Sequence, residues 1–149
     1  CIPIDFDTKI NDVCVDRTHC SFELKDNLNK DYIASVYNLD KHNESGSHWV
    51  SSFINNPKRE VYFFDSVGRS PPDEISKFVK RIQDQSKSLF GVPYDFKFNK
   101  ISHQKEDTEC GIYCLNFIDS MLRNTDFESY IHNIQNDDLM FKNREIYFS

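Results

Sequence analysis

The chain has 149 residues, of which 38% are apolar and 28% charged, enough for one domain with its own core. Thirteen Phe and seven Tyr supply large units of buried area. The formal net charge of −6 argues against nucleic acid as the main partner, since phosphate binding needs a basic surface.

The first residue is Cys1 rather than Met, and no signal peptide is visible, so residues 1–149 are expected to be one domain of a fragment that lacks its native N-terminus. No apolar run approaches the length of a bilayer span, and no membrane partner is expected. Five cysteines cannot all pair within one chain, and their low density points to a reducing, intracellular setting. Cys14 and Cys20 flank His19, but no second ligand pair at a structural-zinc spacing accompanies them. Neither a metal nor a cofactor is expected.

In chain order, Tyr32–Tyr37 reads as a strand, and a polar loop with Asn43 and Gly46 follows from Asp40 to Ser47. His48–Ile54 and Glu60–Asp65 read as two more strands, joined by a turn at Asn55-Asn56-Pro57-Lys58 into a hairpin. Ser70-Pro71-Pro72-Asp73 is a helix start. Ser70 can cap, Pro71 suits the first helical position, and Asp73 favours the positive end of the helix dipole. Ile75, Phe78, Val79 and Ile82 then recur at helical spacing, and Gly91 ends that region.

Val92, Tyr94, Phe96 and Phe98 alternate with polar residues or Pro, as in a half-buried strand. A loop carries Gln104. A helix begins near Cys110 and is apolar on most sides through Ile112, Leu115, Phe117, Ile118, Met121 and Leu122, which suits a central buried position. Thr125-Asp126-Phe127-Glu128 has capping-box spacing and opens another helix. The C-terminal segment shows no clear period.

The hairpin brings an imidazole and a carboxylate together. With its turn centred on Asn56-Pro57, antiparallel pairing sets His48 opposite Asp65 at the open end of the ladder. A carboxylate there can fix the tautomer and orientation of the ring. Each residue alone is an ordinary strand-end side chain, and only the pairing is informative.

Cys110 follows a polar stretch in which Asp107 or Thr108 can cap the helix, so its thiol sits in the first turn. A helix N-terminus and a nearby protonated His lower a thiol pKa from about 8.5 and favour the thiolate. Gly111 leaves room beside it for a substrate carbonyl. Cys114, one turn later in the apolar run, reads as a buried structural cysteine. Gln104, six residues before Cys110, can offer its amide to a developing oxyanion. His103 lies on no expected partner strand and ranks below His48 as a base.

These residues together resemble the Ulp-type ubiquitin-like-protein proteases and their adenovirus relatives. In that clan a His-Trp pair opens a strand, a hydrophobic strand ends in Asp-Ser, and Gln-x5-Cys-Gly leads into the central helix. The matching residues are His48-Trp49, Asp65-Ser66, and Gln104 with Cys110-Gly111. A narrower resemblance, over roughly residues 30 to 123, is to the capsid-polyprotein proteases of large DNA viruses, asfarvirus-like. It rests on His48-Trp49-Val50, Gly68-Arg69-Ser70-Pro71-Pro72, His103-Gln104 and Thr108-Glu109-Cys110-Gly111.

The resemblance implies an α+β, papain-like core: a mixed, mostly antiparallel sheet packed against a central catalytic helix. It implies Cys110 as nucleophile, His48 as base, Asp65 as orienting acid and Gln104 as oxyanion donor. Trp49 and Gly111 would contact substrate, with Trp49 lining a narrow channel for a Gly-Gly segment. The expected activity is a cysteine endopeptidase acting on a protein substrate, either a capsid polyprotein or a ubiquitin-like conjugate, in the host cytoplasm or virion if viral. A deconjugating isopeptidase is the alternative activity. A non-catalytic binder of ubiquitin-like tails and a metal site of Cys110, Cys114 and His132 are weaker readings.

Overall fold

The computed structural model describes residues 1–149. The N-terminal segment holds three two-residue strands, β1 (Ile2–Pro3), β2 (Lys9–Ile10) and β3 (Val13–Cys14), then α1 (Arg17–Cys20) and a 3₁₀ turn at Leu24–Asn27. β4 (Tyr32–Asn38), β5 (Trp49–Asn55) and β6 (Glu60–Phe64) follow, then α2 (Asp73–Phe90), β7 (Asp95–Phe98), α3 (Cys110–Leu122), α4 (Phe127–His132) and α5 (Asp137–Phe148). One sheet runs β1-β4-β5-β6-β7. β4, β5 and β6 are antiparallel, whereas β1 joins β4, and β7 joins β6, in parallel. This is the expected α+β architecture with a mixed sheet.

β5 and β6 are buried along almost their whole length because both sheet faces are covered. On one face Val50, Ile54, Val61 and Phe63 meet Ile75, Phe78, Val79 and Ile82 of α2. On the other, Phe53, Tyr62 and Phe64 meet Ile112, Tyr113, Phe117 and Met121 of α3. Each fully buried Phe contributes about 1.5–3 kcal/mol through area removed from water. Phe64 stacks on Phe117 with ring centroids 4.8 Å apart, which docks α3 against the strand that precedes Asp65.

Local starts differ from expectation. Pro72, not Ser70, is the N-cap of α2, and no side chain caps it; Asp73 and Glu74 still place negative charge in its first turn. Gly91 ends α2 in a left-handed conformation (φ 79°), its N–H bonding the Lys87 carbonyl. Glu109, not Asp107 or Thr108, precedes α3 without a capping bond. Asp126, not Thr125, caps α4 by accepting from the Ser129 N–H. Val92 is exposed, and the strand begins only at Asp95. Cys14 and Cys20 form a disulfide, a pairing the cysteine count did not anticipate. No helix is long and apolar enough to cross a membrane.

Candidate active site

The site lies where β5 begins and β6 ends, under the N-terminus of α3. The hairpin register differs from expectation by two residues: Ser51 pairs with Phe64 and Asn55 with Glu60. The four-residue turn is shifted by one position, to 56–59: Asn55 pairs with Glu60 while its Oδ1 accepts from the Lys58 N–H at 3.0 Å, and Arg59 adopts a left-handed φ of 54°. Continued by one residue, the ladder sets Asp65 across from Val50, with His48 two positions further along. A two-residue slip leaves every side chain on its face, and diagonal neighbours are within reach of long side chains. His48 Nε2 and Asp65 Oδ1 are 2.7 Å apart, so the pair forms despite the changed register.

Asp65 is nearly inaccessible, and its surroundings fix it. Asn99, at the end of β7 and fully buried, accepts from the Asp65 N–H at 3.0 Å and donates to its carbonyl at 2.6 Å. The Val67 N–H donates to Asp65 Oδ1 at 3.0 Å. The chain then turns at Gly68 (φ 77°), where a Cβ would lie 3.0 Å from the backbone of Ile101 and Ser102. Glycine is therefore required twice over, by conformation and by the close approach of the loop that carries Gln104.

Cys110 is the first residue of α3 and is 3% exposed. Its sulfur faces the His48 ring and the backbone N–H groups of Trp49 and Gly111. Burial pushes the thiol pKa up, but the His48 hydrogen bond and these N–H groups outweigh burial and leave it below the ordinary value. The His48 pKa is raised to about 9, first by its hydrogen bond to Asp65 and then by Cys110, against the opposing effect of burial. Both shifts favour a thiolate–imidazolium pair. Cys114, one turn on and buried, moves the other way, since desolvation pushes its thiol strongly up.

A pH series of alkylation with iodoacetamide checks this polarity. Cys110 should react with a midpoint below 9, because its thiolate forms while His48 still holds its proton, and Cys114 should stay unmodified. A Cys110 midpoint at or above 9 would contradict the ion pair.

Gln104 is buried, and its Oε1 accepts from Ser66 Oγ at 2.6 Å. Its Nε2 donates to the Glu106 carbonyl, which takes one of the two amide hydrogens. Ser66 also accepts from the backbone N–H groups of His103 and Gln104, at 2.8 and 2.9 Å. The Gln104 loop is thus tied to the residue next to Asp65. His103 is buried away from the Cys–His pair: Nε2 pairs with the Ile131 carbonyl, and Nδ1 accepts from the Gln135 N–H.

Trp49, Cys110, Gly111, Ile112 and Leu115 line a cavity of about 540 Å³ whose rim includes Arg144 and Phe148. A Cβ at Gly111 would meet nothing within 4 Å, so open space lies against that residue. Cys110, Cys114 and His132 do not converge; no three His, Cys, Asp or Glu side chains are placed to hold a metal.

Sequence reading missed Ser66 as a tether, Asn99, and the pair formed by buried Glu109 with Arg144 at 3.2 Å. The Asp-Ser end of β6 was a signal for Ser66. Asn99 and Arg144 meet partners 34 and 35 residues away, and nothing local marks them.

The sequence profile of the Ulp1 protease family, C-terminal catalytic domain, matches residues 5–149. A protein of Acanthamoeba polyphaga mimivirus assigned as a thiol protease is 33% identical over 117 residues, 78% of this chain and 39% of its own length. A SUMO-1 cysteine protease of African swine fever virus is 30% identical over 111 residues, 73% of this chain and 41% of its own length. The crystal structure of an African swine fever virus protease superposes with a TM-score of 0.64 at 29% identity, covering 76% of this chain and 43% of that one. The chain spans about two fifths of the length of the curated relatives it matches.

Proposed function

We propose, from the premise that this chain belongs to the Ulp1 protease family, that it is the catalytic domain of a cysteine endopeptidase cutting after a Gly-Gly motif. The observation that supports this most is the convergence of Asp65, His48 and Cys110, with both pKa shifts toward the ion pair.

In this reading the Cys110 thiolate attacks the scissile carbonyl carbon and forms a tetrahedral oxyanion. The oxyanion collapses as the C–N bond breaks, and His48 gives its proton to the departing amine. A thioester on Cys110 remains. Neutral His48 then takes a proton from water as the water attacks the thioester, and collapse of the second oxyanion releases the acid and restores the thiolate. Asp65 holds the ring so that Nδ1 is free for Cys110. The second Gln104 amide hydrogen and the N–H of Cys110 serve the oxyanion. Trp49 and the bare Gly111 admit a substrate segment without side chains.

Cleavage should fall as pH rises through about 9, since His48 then lacks the proton the leaving amine needs. Iodoacetamide alkylation needs no such proton and should persist there.

The substrate is proposed to be a viral capsid polyprotein, met in the host cytoplasm or virion if the chain is viral. Deconjugation of a ubiquitin-like protein is the second reading, favoured by the SUMO-1 protease name of the African swine fever virus relative. Purified protein against Gly-Gly-X peptides, SUMO fusions and ubiquitin fusions separates them. The polyprotein reading expects the short peptides to be cut at least as efficiently as either fusion. Cleavage of a fusion alone would favour deconjugation, and cleavage of none would overturn the protease assignment.

A further inference from the structure

The first turn of α5 reaches back to the loop that carries Gln104. Asp137 Oδ2 accepts from the backbone N–H groups of Lys105 and Glu106, at 3.0 and 3.2 Å. Its Oδ1 accepts from the Tyr113 hydroxyl at 2.9 Å. Tyr113 is fully buried and lies one turn after Cys110 on α3. One carboxylate thus joins the Gln104 loop, the Cys110 helix and α5. Bonds from neutral donors to an ionised acceptor are stronger than neutral pairs, so this junction is firmer than its surface position suggests.

Its position relative to Gln104 gives the junction a role. The loop is tied at one side by Ser66, which takes the N–H groups of His103 and Gln104 and holds Gln104 Oε1. Beyond Gln104 the next two N–H groups go to Asp137. The Gln104 amide itself donates to the carbonyl of Glu106, whose own N–H Asp137 holds. Releasing Asp137 would therefore loosen Glu106, whose carbonyl fixes the Gln104 amide plane together with Ser66 Oγ. α5 is held independently, with Asn136 capping it, Met140 fully buried and Arg144 paired to Glu109.

We propose that Asp137 is a positioning residue: it holds the 104–106 loop so that the Gln104 amide is presented to the oxyanion beside Cys110. The proposal rests on the protease reading. Positioning acts on acylation and not on thiolate formation, since the Cys110–His48 pair does not pass through Asp137. Alkylation by iodoacetamide displaces iodide at carbon and develops no oxyanion, so it reads the thiolate alone.

The test is Asp137→Asn, which replaces one acceptor oxygen with an NH₂ group, beside Asp138→Asn, which removes an equivalent first-turn charge of α5 from a side chain outside the junction. On a Gly-Gly-X peptide, Asp137→Asn should lower kcat about 10- to 100-fold, the cost of a small misplacement of a catalytic group. KM and the alkylation rate of Cys110 should stay within about twofold. Amide hydrogen exchange at Lys105 and Glu106 should accelerate. Asp138→Asn should match wild type in all four.

Unchanged exchange at Lys105 and Glu106 would overturn the junction whatever the activity. Faster exchange with unchanged kcat would overturn its role in positioning, as would an equal kcat loss in Asp138→Asn. Wild-type protein that alkylates but cuts neither peptide nor fusion would instead sink the protease reading and this role with it, leaving the exchange data to judge the junction alone.

Discussion

Cys110→Ser and His48→Ala are each expected to abolish peptide cleavage while leaving the fold intact. In the proposed mechanism the sulfur is the attacking atom, and a serine hydroxyl in its place has a far higher pKa and no ion-pair form with His48. Removing the ring takes away both the proton for the leaving amine and the main contact that lowers the Cys110 pKa. Residues that act as one unit lose most of the rate when either is removed, by about four to six orders of magnitude in kcat.

Neither change should unfold the chain. Cys→Ser is nearly isosteric, and His48 lies at the mouth of the strand pair and not among the core residues of either cluster. Cys114→Ser is the internal control. It should keep most of the turnover and lower the melting temperature, because it sets a hydroxyl in a buried site where Ser51 is the one polar neighbour, at a cost of about 1–3 kcal/mol. Near-wild-type turnover in Cys110→Ser, with circular dichroism showing a folded chain, would remove Cys110 from the mechanism.

Gln104→Ala is expected to reduce kcat about 100- to 1000-fold with little change in KM. The oxyanion exists in the transition state and not in the bound peptide, so its donor stabilises only the former. The geometry adds a second route to the same loss. Ser66 Oγ holds Gln104 Oε1 at 2.6 Å, which fixes the amide plane before substrate arrives. Preorganisation of this kind is what makes one donor worth several kcal/mol. Because Gln104 is buried and bonded at both ends, and not a solvated loop residue as its sequence context suggests, Gln104→Ala should also lower stability modestly. Steady-state kinetics below the melting transition separate the two effects. A raised KM at unchanged kcat would demote Gln104 to a substrate contact.

The parts of the fold legible in the sequence are those with a strong period or a chemical pattern. β4, β5, β6, α2 and α3 declare themselves through aromatic and aliphatic spacing, and His48, Asp65 and Cys110 lie at the ends of those elements. The hairpin register was misplaced by two residues because the turn depends on the Asn55 side chain and on a left-handed Arg59, which no local rule assigns to arginine. A shift of two preserves the face, so the His48–Asp65 pair forms in this register as well.

α5 was not legible for a different reason. Of its apolar residues only Met140 is buried, while Leu139, Phe141, Ile146 and Phe148 are exposed, so no single apolar stripe marks the helix. The strands β1 to β3 have two residues each, too short to show any alternation. Asn99 and Asp137 matter through partners more than 30 residues away, which only the folded chain reveals.

Cys110 is proposed as the nucleophile of a site that admits a Gly-Gly segment. Intact-protein and peptide mass spectrometry after brief incubation with a stoichiometric Gly-Gly vinyl sulfone tests this most directly, because a bound Gly-Gly segment that presents the warhead to an activated thiolate reacts far faster than a free cysteine such as exposed Cys1. One adduct per chain is predicted, on Cys110, with Cys1 and Cys114 unmodified and no adduct on Cys110→Ser. A chain that stays unlabelled while iodoacetamide still alkylates Cys110, or a label on another cysteine, would contradict the account.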